Sequence, residues 1–185
     1  ARTMLSYQVE WLISTGATDP DRITDLCLAG GARSLNLDLP GSKAASIISD
    51  NFSGARELTR RTLLNLQRKK GTLLPLLFIG GRGTDHNTAE RIRGFRAAHQ
   101  DLGVTIEEHH ILACAYAPEK AADALNALVT SEGRVPAGLF VNSTISLEGV
   151  MRWLKSSPMG VNSQPVIGCF DWDPFVALMG HEIEM

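Results

Sequence analysis

The hydrophobic residues of this chain form short apolar runs that alternate with longer segments of helical period. The apolar runs predict β-strands near Gln8–Ser14, Ser34–Leu37, Ser46–Ile48, Leu74–Ile79, Thr105–Leu112, Gly138–Val141 and Pro165–Phe170. Apolar positions at helical spacing predict helices over about Asp21–Ala29, Ser53–Leu66, Thr88–Leu102, Pro118–Ser131 and Ile145–Ser156. Repeated strand–helix alternation of this kind predicts an α/β fold, with helices on both faces of a parallel sheet.

Two of the predicted strands, Leu74–Ile79 and Pro165–Phe170, are almost continuously apolar, which is typical of strands covered on both faces. In open parallel sheets, ligands bind beyond the carboxyl ends of the strands, in the loops that lead into the helices. We therefore expect the functional residues of this chain in those loops.

The composition is that of an ordinary globular protein, with 185 residues, 44% of them hydrophobic and 21% charged. Eighteen Lys and Arg against twenty Asp and Glu give a net charge of −2. A domain that contacts nucleic acid usually has a basic excess, so we expect no direct contact of these residues with DNA. No apolar run approaches the roughly 18 residues that would span a bilayer.

The cysteines Cys27, Cys114 and Cys169 lie far apart in the sequence and are odd in number. Because they form neither a CxxC pair nor a Cys/His ligand spacing, we expect buried free thiols in a reducing cytoplasm and no metal site. The chain starts at Ala1 without Met, and Gly180–Met185 begins a further segment. We therefore expect the natural protein to continue on both sides.

A glycine-rich turn follows the Leu74–Ile79 strand and precedes a helix. Gly81 and Gly83 match the start of a dinucleotide-binding GxGxxG motif, but His86 stands at its third glycine. No Gly-Lys-Ser/Thr phosphate loop is present either. The alternative explanation is a turn that needs a flexible backbone, and we expect no nucleotide or other cofactor.

The sequence offers little support for catalysis. It has no GxSxG motif, and His109 and His110 fall on a predicted strand where they would face opposite ways. Asp171 and Asp173 stand two residues apart without a base nearby in sequence. Since no set of nucleophile, base and orienting group can be proposed, we expect that this chain is not an enzyme.

Polar side chains instead follow several predicted strands. They are Asp38, Asp50, Asn51, Arg91, Tyr116, Asn142 and Asp171. Carboxylates and amides that bridge hydroxyl groups, a forked arginine donor and an aromatic face together suit a neutral polyol. Helix capping or a simple turn is the alternative explanation for most of these positions.

Four stretches of the chain, in order, resemble motifs of the lactose-repressor/galactose-repressor family of bacterial transcription regulators. The Ser49-Asp50-Asn51 stretch resembles the segment where the family's chain passes from its first lobe to its second. The segment from Arg91 to Phe95 resembles the family's RxxGF helix. The other two stretches are Leu139 to Val150 and Val166 to Asp171, of which the second resembles VxGFDD with one inserted residue.

This resemblance implies a two-lobed, periplasmic-binding-protein-like fold with a small ligand between the lobes. By position, Arg91, Asn142 and Asp171 match the family's pocket residues, Tyr116 matches its aromatic position, and Asp38 is a further contact. The chain departs from the family where Asn142 is followed by Ser143, because the family often has Asn-Asp there. The stretch from Asn142 to Val150 resembles the fructose-repressor-like branch, which implies a sugar phosphate as an alternative to a sugar.

The resemblance also divides the chain, with residues 1–49 as part of the N-terminal lobe and residues 50–185 as the C-terminal lobe without its closing segments. It implies a cytoplasmic homodimer that binds operator DNA through a headpiece outside these residues, with no membrane partner. Extracytoplasmic sugar-binding proteins of transporters share the fold and the same stretches, and they are the alternative.

Overall fold

The computed structural model describes residues 1–16 and 18–185, and its chain separates into two compact units, Ala1–Asp50 and Asn51–Met185. Each unit contains a parallel sheet with helices, so the predicted α/β class is confirmed. Among the described residues, no helix is long and apolar enough to cross a membrane.

The first unit is built around a small parallel sheet in the order β1-β2-β3. Its elements are α1 (Arg2–Leu5), β1 (Trp11–Thr15), α2 (Pro20–Ala29), β2 (Arg33–Leu37) and β3 (Ser46–Ile47). Helix α2 begins where Asp19 accepts a hydrogen bond from the backbone N–H of Arg22 at 3.0 Å. Pro20 follows at the first helical position, which tolerates the missing N–H of proline.

The second unit carries the larger sheet, in the order β5-β4-β6-β7-β8, with parallel neighbours throughout. Its helices are α3 (Asn51–Lys70), α4 (His86–Asp101), α5 (Pro118–Glu132), α6 (Thr144–Ser156) and α7 (Pro158–Val161). Its strands are β4 (Leu77–Ile79), β5 (Ile111–Leu112), β6 (Gly138–Val141), β7 (Val166–Cys169) and β8 (Ile183–Glu184).

The central strands of this sheet are buried on both faces, as their continuous apolar runs predict. Successive residues point to opposite faces, so Ile79 and Val141 pack in one core while Phe78 and Phe140 pack in the other. Helices α5 and α6 cover the first core, and α3 and α4 cover the second.

One predicted strand is largely wrong. Thr105–Leu112 forms a strand only at Ile111–Leu112, and Glu108–His110 is a 3-10 turn. Reciprocal hydrogen bonds close this turn, because the Glu107 side chain accepts from the His110 N–H and the Glu107 N–H donates to Nδ1 of His110 at 3.0 Å. His109 and His110 therefore do not face opposite ways; their ring centroids lie 4.2 Å apart.

The sequence patterns also missed several short elements. They are α1, α7, a 3-10 turn over Pro174–Met179, and β8, which pairs with β7 along Ile167 and Gly168. Each of these elements is too short to show a periodic pattern, and β8 depends on its pairing partner. Strand β4 starts at Leu77 rather than at Leu74, since Pro75 cannot donate to a ladder.

Candidate functional site

The order of strands in the larger sheet places a topological switch point at the carboxyl ends of β4 and β6. These two strands are paired in parallel, although β5 lies between them in sequence. The helix after β4 covers one face of the sheet, and the helix after β6 covers the other. Chains that leave neighbouring strands towards opposite faces open a space between the two loops, where ligands bind in open α/β sheets.

The loop after β4 passes very close to the loop after β6. Gly80 and Gly81 adopt φ values of +102° and +73°, which side chains other than glycine rarely tolerate. A Cβ on Gly81 would stand 2.5 Å from Nδ2 of Asn142, and one on Gly80 would collide with Ser146. The glycines thus permit a positive-φ turn that packs directly against the side chains of Asn142 and Ser146.

Arg91 lies beside this switch point, in contact with the residue that follows β6, and is 6% exposed. Its Nε donates to Oδ1 of Asn51 at 2.8 Å, and its Nη1 donates to the backbone oxygen of Asn142 at 2.5 Å. Its Nη2 lies 3.5 Å from a carboxylate oxygen of Asp171, and the Phe170 ring lies under the guanidinium at 3.9 Å. Because α4 begins at His86 rather than at the predicted Thr88, Arg91 falls on the second turn of the helix.

Asn142 stands directly after β6 and is fully buried. Capping does not explain it, because the cap of α6 is Ser143, whose side chain accepts from the backbone N–H of Ser146. Both polar atoms of the Asn142 amide lack a hydrogen-bond partner among the residues that the structure describes. A buried amide without partners is costly, so this group is suited to accept and donate hydrogen bonds to a water or a ligand hydroxyl.

Tyr116 is half-buried and is held by the same loops. Its hydroxyl lies 2.9 Å from Oγ1 of Thr88, a fully buried residue at the start of α4. Its neighbour Ala115 exchanges two backbone hydrogen bonds with Gly81, which fastens the loop after β5 to the loop after β4. The Tyr116 ring is therefore anchored at its hydroxyl end, beside the glycine turn.

The two predicted carboxylates lie in different units. Asp171 follows β7, adopts a left-handed φ of +74° and is partly exposed beside Arg91. Asp38 belongs to the first unit and also has a left-handed φ, of +70°. The backbone N–H of Asp38 donates to the oxygen of Ile47 at 2.8 Å, and its carboxylate accepts from Oγ of Ser49 at 3.5 Å. The structure thus brings Arg91, Asn142 and Asp171 into contact and places Tyr116 on an adjoining loop.

Sequence reasoning left out several buried members of this arrangement. We define the polar cluster as the buried polar side chains at the starts of α3, α4 and α6 and the end of β6: Asn51, Asn87, Thr88, Arg91, Asn142 and Ser146. A polar residue at a helix start usually caps the helix, so no sequence signal separates Asn87 or Ser146 from an ordinary cap.

The other candidate groups lie apart from the polar cluster or serve structural roles. Asp173 accepts from the backbone N–H of Phe175 at 2.9 Å and so caps a 3-10 turn. Cys169 is buried at the end of β7, and desolvation raises its pKa to about 12, which keeps its thiol protonated and unreactive. Across residues 1–16 and 18–185, no group of three or more metal-binding side chains is brought together.

A comparison with known families decides which kind of protein has this site. The family described as periplasmic binding proteins and sugar binding domain of LacI family matches residues 3–163. The chain belongs to this family. The chain is similar to the ribitol operon repressor of Klebsiella aerogenes, which is 54% identical over 81 residues, or 44% of this chain and 30% of the repressor.

Further relatives are regulators as well. The maltose regulon regulatory protein MalI of Escherichia coli (strain K12) is 25% identical over 107 residues, which cover 58% of this chain and 30% of MalI. Among solved structures, the Cra transcriptional dual regulator of Pseudomonas putida in complex with fructose 1-phosphate matches with a TM-score of 0.80 and 21% identity, covering 98% of this chain and 65% of that one. A LacI family regulator of Enterococcus faecium with bound ribose has a TM-score of 0.76 and 18% identity, covering 95% and 64%.

These comparisons confirm the family and its periplasmic-binding-protein-like fold. The matched segments span 30% of each of these curated relatives, and this chain spans about two thirds of the Cra structure. The two curated relatives are named as a repressor and a regulatory protein and not as enzymes.

Proposed function

We propose that this chain is the ligand-sensing part of a sugar-responsive transcription regulator and has no catalytic activity. The observation that carries the proposal is the polar cluster, a set of buried hydrogen-bonding groups around Arg91 at the switch point of the sheet. It belongs to a chain of a sugar-binding family, of which 81 residues are 54% identical to a ribitol operon repressor.

The ligand in this proposal is a small polyol, sugar or sugar phosphate. The Asn142 amide offers both a donor and an acceptor, which matches a hydroxyl group, and Arg91 supplies a charged donor. We assign ligand contacts to Arg91, Asn142, Asp171 and Tyr116, with Asp38 as a contact from the first unit. The similarity to the ribitol repressor favours a polyol as the ligand, and the similarity to the Cra complex favours a sugar phosphate.

The partners in this proposal are operator DNA, bound through a headpiece outside these residues, and a second copy of the same regulator, in the cytoplasm. We take residues 1–49 as part of the N-terminal lobe and 50–185 as part of the C-terminal lobe, an assignment supported by the separation of the chain after Asp50. The alternative, an extracytoplasmic sugar-binding protein of a transporter, is less supported because these relatives are regulators.

The first experiment is a ligand titration by thermal shift and isothermal calorimetry with ribitol, ribose and fructose 1-phosphate. A ligand that binds only the native state adds RT ln(1 + [L]/Kd) of stability, about 2.7 kcal/mol at a hundredfold excess over Kd. We expect one of the three compounds to raise the melting temperature. Reproducible turnover of a compound, lost on substitution of Arg91, would contradict the proposal.

A further inference from the structure

A buried asparagine at the start of α3 holds the guanidinium of Arg91. Asn51 is 2% exposed, and its Oδ1 accepts the hydrogen bond from Nε of Arg91 at 2.8 Å. Its Nδ2 donates to Oδ1 of Asn87 at 3.1 Å. Because the amide is bonded at both its oxygen and its nitrogen, its orientation relative to Arg91 is fixed.

The bond from Asn51 differs from the other contacts of Arg91. Asp171 is 45% exposed and lies at 3.5 Å, so water competes for that ion pair and weakens it. The backbone oxygen of Asn142 holds one end of the guanidinium, and the Phe170 ring supports its face. A guanidinium that is held at Nη1 and stacked on a ring can still turn within its own plane, and the second anchor at Nε removes this freedom.

We propose that Asn51, backed by Asn87, is a positioning residue for Arg91. It prevents the guanidinium from turning within its plane, so that the N–H groups not used by the protein stay directed towards the ligand. The proposal rests on the proposed function only in assigning the ligand contact to Arg91. Asparagine suits this position because its amide accepts from Arg91 and donates to Asn87 at the same time, without adding a carboxylate beside Asp171.

A double-mutant cycle with ribitol as the probe tests the coupling. We expect Asn51→Ala to raise the Kd about tenfold when Arg91 is present, and to change it less than twofold in the Arg91→Lys background. The matched control is Asn65→Ala, since Asn65 is also a buried amide of α3 but is bonded to Arg68 and Glu184. Equal effects of Asn51→Ala in both backgrounds would overturn the proposal.

A second measurement does not depend on any ligand. In a 1H–15N spectrum of arginine side chains, we expect the Nε–H of Arg91 to exchange slowly with solvent, because it is buried and bonded. Asn51→Ala should shift this signal and speed its exchange, Asn51→Asp should restore slow exchange by returning an acceptor, and Asn65→Ala should leave it unchanged. An Arg91 signal unaffected by Asn51→Ala would overturn the inference, whereas slow exchange together with no binding of ribitol, ribose or fructose 1-phosphate would count against the proposed function alone.

Discussion

Arg91 is nearly fully buried, and a buried cation is stable only when its N–H groups are bonded and its charge is compensated. The side chain meets these conditions with Asn51, Asn142 and Asp171, and it also lies on the Phe170 ring. The other arginines of α4 behave differently, since Arg93 pairs with Glu90 and Arg96 with Glu108 at the surface. Position within the helix, and not residue type, separates a site residue from a solvated one.

Arg91→Lys is expected to weaken ligand binding while the fold is retained. Lysine keeps the charge but loses the planar fork that donates to Asn51 and Asn142 from two different nitrogens. Loss of such a charged donor should cost about 1.5–3 kcal/mol of binding free energy, or roughly 10- to 150-fold in Kd by calorimetry. The control is Arg93→Lys, whose side chain is exposed. An unchanged Kd in Arg91→Lys would remove Arg91 from the ligand contacts.

Gly81 allows a second prediction at the residue scale, with Gly71 as its control. Both glycines have left-handed φ values, +73° and +78°, but only at Gly81 would a Cβ meet Asn142 and Thr88; around Gly71 the space is open. Gly71→Ala should therefore lower the free energy of unfolding by about 1–2 kcal/mol, the conformational part alone. Gly81→Ala should lower it clearly more and also weaken ligand binding. If urea denaturation gave the same loss of unfolding free energy for the two variants, the protein would have relieved the collision of the new Cβ with Asn142 and Thr88, and the prediction would be wrong.

Helix α4 connects the polar cluster to the other end of the sheet. Arg91 lies near its start, and His99 lies near its end, fully buried. Nδ1 of His99 lies 2.8 Å from the oxygen of Phe95, and Nε2 accepts from the backbone N–H of Leu76 at 3.1 Å. An imidazole that accepts at Nε2 is neutral, with its proton on Nδ1. His99 thus fixes the chain just before β4 to α4.

Burial lowers the pKa of His99 from 6.5 to about 4, which makes α4 sensitive to acid. The unfolded chain binds the proton near pH 6.5 and the folded chain only near pH 4, so stability is lost as the pH falls through this range. This residue should account for about 3 kcal/mol of that loss. His99→Gln, which cannot titrate, should show a shallower decline of unfolding free energy between pH 7 and pH 4. Parallel declines in the two proteins would refute this role.

Across the whole molecule, the net charge of −2 and the family together predict indirect action on DNA. A ligand can shift operator binding only if it binds one conformation of the regulator better than the other. We expect operator affinity of a regulator that contains this chain to change across a titration with its ligand, measured by fluorescence anisotropy. This 185-residue chain should itself show no specific operator binding. Operator affinity indifferent to every ligand that binds would favour the transporter alternative.

The local patterns of the sequence were sufficient for the α/β class and for most of the longer elements. Apolar runs and helical spacing predicted β6 at its observed ends, Gly138–Val141, and the main helices with shifted ends. They failed at Glu108–His110, where side-chain hydrogen bonds to the backbone override strand propensity. The resemblance of ordered motifs supplied the family and the expected role of Arg91. The family comparison confirms the family, and the role of Arg91 stays a prediction.

The partners of Arg91 were decided by the tertiary structure. Asn51 and Asn142 lie 40 and 51 residues from Arg91 in sequence. Asn142 meets Arg91 because β6 pairs with β4 although β5 lies between them in the chain, and Asn51 meets it because α3 packs against α4. Local periodicity depends on neighbours a few residues apart and therefore determines helices, strands and buried faces. The order of strands in a sheet depends on packing across the whole unit, and that order selected which polar side chains became the polar cluster and which remained caps.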